Sequence, residues 1–149
     1  AKANKRVFII YQIVRNGFDS AEIIKVYCSL VRPTLEYASP VWHCGLTQVL
    51  SDEIEAVQRR CLRIIFPFLS YSDALQVAAL ETLSARRESD VVKLFSEIKS
   101  EGHVLHNLLP VRLHNAGVSV RNFYPYVIPK AKTYRKLCSL ISYCISRRL

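Results

Sequence analysis

Twelve acidic side chains, five cysteines and four histidines are the groups in this chain that could do chemistry. Two-metal phosphoryl transfer needs carboxylates clustered around the ions. The Asp residues are Asp19, Asp52, Asp73 and Asp90, spread over different elements, and no Asp-Asp pair occurs. Asp52, Glu53 and Glu55 fall close together, yet a first helical turn explains them, because acids there complement the macrodipole. His43-Cys44, His103-x-x-His106 and Cys138-x5-Cys144 lack the spacing of zinc ligands, which come as paired Cys or His on a turn. A Cys–His hydrolase needs a nucleophile with an oriented base, and five Cys with four His offer such pairs by chance. No Gly-rich phosphate loop is present. The sequence assigns no catalytic residue, no metal and no cofactor.

The basic residues carry more information. Residues 1–50 hold six basic and three acidic side chains, residues 51–110 seven and nine, and residues 111–149 eight basic and none acidic. The net charge of +9 is therefore mostly a property of the C-terminal segment. A segment of one sign suits a polyanionic partner; the plainer reading is a solubilising tail. Lys130, Lys132, Arg135 and Lys136 cluster with Tyr134 at the start of the last expected helix. Cations there oppose the macrodipole, and phosphate contact would account for accepting that cost. Arg59, Arg60 and Arg63 lie one turn or less apart, away from the Ile54–Val57–Cys61 stripe. They can follow a phosphate backbone, or they can serve only the helix dipole. Lys2, Lys5 and Arg6 form a third, weaker group. Arg86 and Arg87 sit near Glu88 and Asp90, and local ion pairs are expected there.

These groups need elements to carry them. With 149 residues, half of them apolar and 22% charged, the chain has the make-up of a folded domain. Four Gly disfavour a turn-rich β fold. Val7, Ile10 and Val14 predict a helix over about 2–16, stopped by Gly17. Asp19 or Ser20 caps the next, with Ile23, Tyr27, Leu30 and Val31 on one face. Pro33 should break or restart it, leaving a short helix over 33–38 that Pro40 ends. Ser51 is expected to cap a long helix over 48–66. Ser70 or Ser72 opens a helix through Leu80, and Thr82 one over 83–100 that Gly102 ends. A short helix is expected between His103 and Leu109. Val118 and Val120 alternate with Ser119 and Arg121 like a brief strand, and Pro125 and Pro129 favour extended backbone. Thr133 should cap a last helix to about 147, with Leu137, Leu140, Ile141 and Cys144 inward. Trp42, the only Trp, has apolar neighbours in Val41 and Ala38, so core packing is preferred to base stacking. The expectation is an all-α fold of about six to seven helices, with an irregular basic connection before the last one.

Two runs resemble the segment just downstream of the polymerase core in reverse transcriptases of LINE-type (non-LTR) retrotransposons. One is Arg32-Pro33-Thr34-Leu35-Glu36-Tyr37-Ala38-Ser39-Pro40-Val41-Trp42. The other is Ile54-Glu55-Ala56-Val57-Gln58-Arg59-Arg60-Cys61-Leu62-Arg63-Ile64-Ile65. The likeness continues through Leu80–Glu88 and Val104–Pro110 and resumes at Lys132–Lys136, covering most of the chain in the family's order. The resemblance implies a helical thumb and post-thumb segment beside a template–primer duplex, without catalysis by this chain. It makes Arg32, Pro33, Glu36, Tyr37 and Trp42 a structural motif. The expected organisation is a thumb-like helical domain over 1–110 and a basic extension with a terminal helix over 111–149. The lack of an initiator Met raises the expectation of a fragment of an RNA-directed DNA polymerase, with an upstream polymerase domain as partner.

An odd number of Cys and no Cys-x-x-Cys pair point to free thiols and an intracellular setting, cytoplasm or nucleus. No membrane partner is expected, since the run Leu137 to Ile145 is too short to span a bilayer. The alternative function is a helical protein-interaction module that binds no nucleic acid. A third reading, a surface amphipath at 133–148, is answered more simply by docking of its apolar face onto the domain.

Overall fold

A computed structural model describes residues 2–112, 126–127, 130 and 132–149. Among them the chain is all-α, with six helices of seven residues or more. The one β-type pairing described is an isolated antiparallel bridge between Arg112 and Tyr126. The expected strand at 118–121 and the extended backbone at Pro125 and Pro129 lie outside the described residues.

Local chemistry sets most boundaries. Helix α1 (Lys2–Arg15) stops at Gly17, whose φ of 79° is costly for any residue with a Cβ. Asp19 then caps α2 (Ser20–Val26), its carboxylate accepting from the Ala21 N–H at 3.2 Å. Pro33 restarts the helix rather than breaking it, lying in the first turn of a short new one. From Tyr27 to Val31 the ladder slips to a π turn, and the Arg32 N–H reaches the Tyr27 carbonyl. Pro33 has no N–H to donate, and the widened turn absorbs that loss, so α3 (Arg32–Glu36) follows. Pro40 departs from expectation. It lies in the first turn of α4 (Ser39–Trp42), where a missing N–H is harmless.

Helix α5 (Gln48–Ile65) is capped by Thr47, whose Oγ1 accepts from the Leu50 N–H at 3.4 Å. Ser51, the expected cap, lies within the helix and accepts from Arg87 Nη2 at 2.8 Å. Ser70 caps α6 (Tyr71–Val77), and the Thr82 hydroxyl accepts from the Ala85 N–H at the start of α7 (Leu83–Ile98). His106–Leu108 forms a single 3-10 turn. The last helix comes in two pieces, α8 (Tyr134–Leu137) and α9 (Leu140–Ser146). Ser139 divides them: it takes the extended N-cap geometry of α9, and its hydroxyl bonds the Lys136 carbonyl at 2.8 Å.

The chain forms two compact units, one of Ala1–Ala38 with Leu46–Arg87, the other of Ser39–Gly45 with Glu88–Leu149. The second unit has its own apolar cluster of Cys44, Val91, Phe95, Tyr126, Cys144 and Ile145, which joins the outer part of α7 to the terminal helices. In the first unit, Val7, Ile10, Ile23, Tyr27, Val31 and Cys61 form one buried cluster, and Leu62, Ala74 and Ala78 another.

The inner side of α5 is not the expected apolar stripe. Its buried residues are Glu55, Gln58, Cys61 and Leu62. Glu55 Oε1 accepts from the Leu83 N–H at 3.2 Å and Oε2 from the Ser84 N–H at 3.3 Å. A carboxylate from one helix thus caps the first turn of another, where free N–H groups and the positive dipole end coincide. The Tyr71 hydroxyl donates to Glu55 Oε1. Gln58 Nε2 donates to the Tyr71 hydroxyl and to the Glu81 carbonyl, each at 3.0 Å, and Tyr27 donates to Gln58 Oε1 at 2.5 Å. Each member of this buried network satisfies another.

Glu55→Ala should therefore lower the unfolding free energy by at least about 2 kcal/mol, because buried N–H and O–H donors lose their acceptor. Asp52→Ala, on the exposed side of the same helix, should stay within about 0.5 kcal/mol. Urea unfolding of both variants gives the comparison, and equal losses would contradict the network.

Candidate nucleic-acid interface

The polar inner line of α5 determines what its outer side presents. With Glu55, Gln58 and Leu62 turned inward, Arg59, Arg60 and Arg63 are exposed. None of the three has a carboxylate at ion-pair distance among the described residues. The Arg59 guanidinium stacks 5.0 Å above the Tyr71 ring. That ring is held in place, since its hydroxyl is tied to Glu55 and Gln58. Burial, then the bond to Glu55, pushes the Tyr71 hydroxyl well above its ordinary pKa, so it remains a proton donor. Arg59, Arg63, Ser70 and Tyr71 line a shallow cleft of about 220 Å³ between α5 and α6.

Most other described arginines serve the fold. Arg6, expected among the phosphate contacts, is turned onto its own unit: Nη1 donates to the Leu30 carbonyl at 2.6 Å and to the Thr34 hydroxyl. Arg32 and Glu36 approach within 3.8 Å across Pro33. The closer partner of Glu36 is Arg86, which grips it with Nε at 2.6 Å and Nη2 at 3.3 Å. The expected neighbours in sequence, Glu88 and Asp90, are thus not the source of this grip on Arg86, which comes from α3. Arg87 is buried and donates to Ser51. Burial lowers its pKa, and the fields of Glu55 and Glu36 oppose that shift. In the second unit Glu88 gathers His43 at 3.1 Å, Arg147 at 3.4 Å and the Tyr143 hydroxyl at 3.4 Å. Asp90 accepts from Ser39 at 3.4 Å.

Lys130, Lys132 and Lys136 are exposed in the second unit, and Lys5 in the first. None of them is ion-paired among the described residues. The side chains of Lys2 and Arg135 lie outside the described residues. Tyr37 is 81% exposed. Trp42 itself is half-buried rather than in the core. Helix α4 is a single turn, and its buried residue is Ser39.

The five cysteines are free thiols. Burial pushes Cys44 up to about 11 and Cys61 and Cys144 up to about 12, which keeps them protonated near neutral pH. His103 Nδ1 accepts from the Leu105 N–H at 3.1 Å, and His106 Nδ1 bonds the Ile98 carbonyl at 3.0 Å, so both are occupied locally. Among the described residues no three His, Cys, Asp or Glu gather as metal ligands would. No helix there is long and apolar enough to cross a membrane. In comparisons with protein-family models, curated proteins and solved structures, the chain matches none.

Sequence reasoning singled out the cations but missed Glu55, Gln58 and Tyr71, which position them. A signal was present: Glu55, Gln58 and Leu62 recur at three- and four-residue spacing, so they share one helix face. Two polar residues on a face with a buried Leu mark a polar core.

If Arg59, Arg60 and Arg63 are free of structural duty, their joint replacement by Ala should leave stability within about 1 kcal/mol, as for surface changes generally. Arg86→Ala, which strands the half-buried Glu36 carboxylate, should cost more, about 1–3 kcal/mol. Thermal unfolding distinguishes them, and a larger loss for the triple variant would return those arginines to the fold.

Proposed function

We propose that this chain is a non-catalytic, helical nucleic-acid-binding segment of the kind implied by its resemblance to LINE-type reverse transcriptases. It grips the backbone of a template–primer duplex by charge and works beside an upstream polymerase domain that supplies the chemistry. The observation that carries this reading is the division of labour among the cations. Arg6, Arg32, Arg86 and Arg87 are engaged by groups of the fold, and Arg147 pairs with Glu88 at the surface. Arg59, Arg60, Arg63, Lys130, Lys132 and Lys136 face solvent. Three guanidinium groups on one helix face, backed by a fixed tyrosine ring, can pair with successive phosphates. Contacts of this kind position a duplex without reading its sequence. Free thiols suit an intracellular setting.

A specific observation favours the second reading, a protein-interaction module. On α1 and the turn after it, Phe8, Tyr11 and Phe18 are 60%, 44% and 55% exposed. Exposed aromatics grouped in this way suit an apolar partner surface. That surface is compatible with docking to a polymerase domain and does not replace the basic face.

Binding to a duplex should weaken steeply with salt, because each neutralised phosphate releases condensed counterion, at a slope of about −0.9 per contact on B-form DNA. Replacing Lys130, Lys132, Arg135 and Lys136 by Ala should flatten the slope by up to about four contacts' worth, and the Arg59/Arg60/Arg63 triple variant by up to about three. The loss should be similar for unrelated sequences. Fluorescence anisotropy across a salt series gives both slopes. A parent chain that fails to bind at low salt would leave the protein-interaction reading standing.

A further inference from the structure

We infer that the second unit carries a stacking cleft for an unpaired base of single-stranded nucleic acid, built from Trp42 and Tyr134; the inference rests on the nucleic-acid reading above. The cleft has a volume of about 460 Å³ and is lined by Val41, Trp42, Gly45, Tyr134, Cys138 and Ser139. That lies within the size range of small-molecule sites, roughly 300–1,000 Å³. Its walls are aromatic and apolar. Trp42, which lines the cleft, is half-buried, while Tyr134 is 73% and Val41 77% exposed. Gly45 and Cys138 face each other at one end, where a Cβ on Gly45 would make ordinary contact with Cys138 Cβ at 3.5 Å.

Two features choose a base over an apolar side chain as occupant. The first is charge. Tyr134 sits between Lys132 and Lys136, both exposed, and residues 111–149 contain no acid. A ring entering the cleft would bring its backbone against cations, which suits a phosphodiester and repels nothing on a nucleic acid. The second is the shortage of polar groups able to read an edge. The Ser139 hydroxyl already bonds the Lys136 carbonyl at 2.8 Å and Ser142 Oγ at 3.0 Å. Stacking between π faces tolerates any base. A base inside a duplex is stacked on its neighbours and cannot enter, so the cleft takes an unpaired strand. Near a primer junction it would hold the template strand where pairing ends.

Trp42 is the only Trp, so its fluorescence reports the cleft directly. The whole chain should be titrated at low salt with a short oligo(dT), with an abasic deoxyribose-phosphate strand of equal length and charge, and with a blunt duplex. Oligo(dT) should quench Trp42 emission; the abasic strand and the duplex should bind and leave it unchanged. Tyr134→Ala, at an exposed position, should weaken oligo(dT) binding by about 5- to 150-fold, the usual worth of one stacked base, and leave duplex binding as it was. Trp42→Phe should retain most of the oligo(dT) affinity and abolish the signal. Equal binding of oligo(dT) and the abasic strand, with no quenching and no effect of Tyr134→Ala, would overturn the cleft while leaving backbone binding intact. Quenching by an apolar peptide but not by oligo(dT) would also overturn it. Failure to bind any of the three nucleic acids would overturn both the cleft and the reading beneath it.

Discussion

A carboxylate buried inside one helix, accepting from the first free N–H groups of another, is the contact on which the first unit depends. Glu55 meets Leu83 and Ser84 at the start of α7 and takes a third bond from Tyr71. A buried carboxylate is expensive unless its lone pairs are filled. Here backbone donors, a phenol and the dipole of α7 fill them, and the charge of the buried Arg87 lies nearby. Gln58 extends the network to Tyr27 and the Glu81 carbonyl, so α2, α5, α6 and α7 share one polar core. Such a network gives direction where apolar packing alone would allow α5 to rotate. Rotation of α5 by one residue would bury an arginine. The network therefore fixes the fold and, through it, the face on which Arg59, Arg60 and Arg63 stand.

The helices and their caps were largely legible in the sequence. Asp19, Ser70 and Thr82 act as caps because their short side chains reach the first free N–H groups, an effect confined to a few residues. Gly17 closes α1 for an equally local reason. Tertiary events were not legible. Pro33 looks like a breaker by its own chemistry, and only the π turn around Tyr27–Val31 shows how the chain passes it. Ser51 looks like a cap until Arg87 claims it. Glu55 reads as one more acid in a first turn, since nothing local announces that α7 will deliver two N–H groups to it. The cleft between Trp42 and Tyr134 joins residues about ninety positions apart, a distance no periodicity can bridge.

The cations follow the same split between local and distant causes. Arg6 and Arg86 look as available as Arg59 in sequence, yet the fold spends the first on Leu30 and the second on Glu36. Arg59, Arg60 and Arg63 remain at the surface, among other exposed cations. Arg59 is held by a ring that the polar core itself positions, which on the proposed reading would lower the entropy lost on meeting a phosphate. In the second unit Lys130, Lys132 and Lys136 stand on a stretch, residues 111–149, that holds no acid. On the proposed reading, one unit would offer guanidinium groups to a backbone, the other ammonium groups and a stacking surface.

Amide chemical-shift mapping of the whole chain with a short duplex tests most directly whether the exposed cations of each unit bind it. The account predicts shifts at Arg59, Arg60, Arg63, Lys130, Lys132 and Lys136 that fade together as salt is raised, while Phe8, Tyr11 and Phe18 stay in place. Shifts centred on Phe8, Tyr11 and Phe18, or none at any of the six cations at low salt, would contradict it.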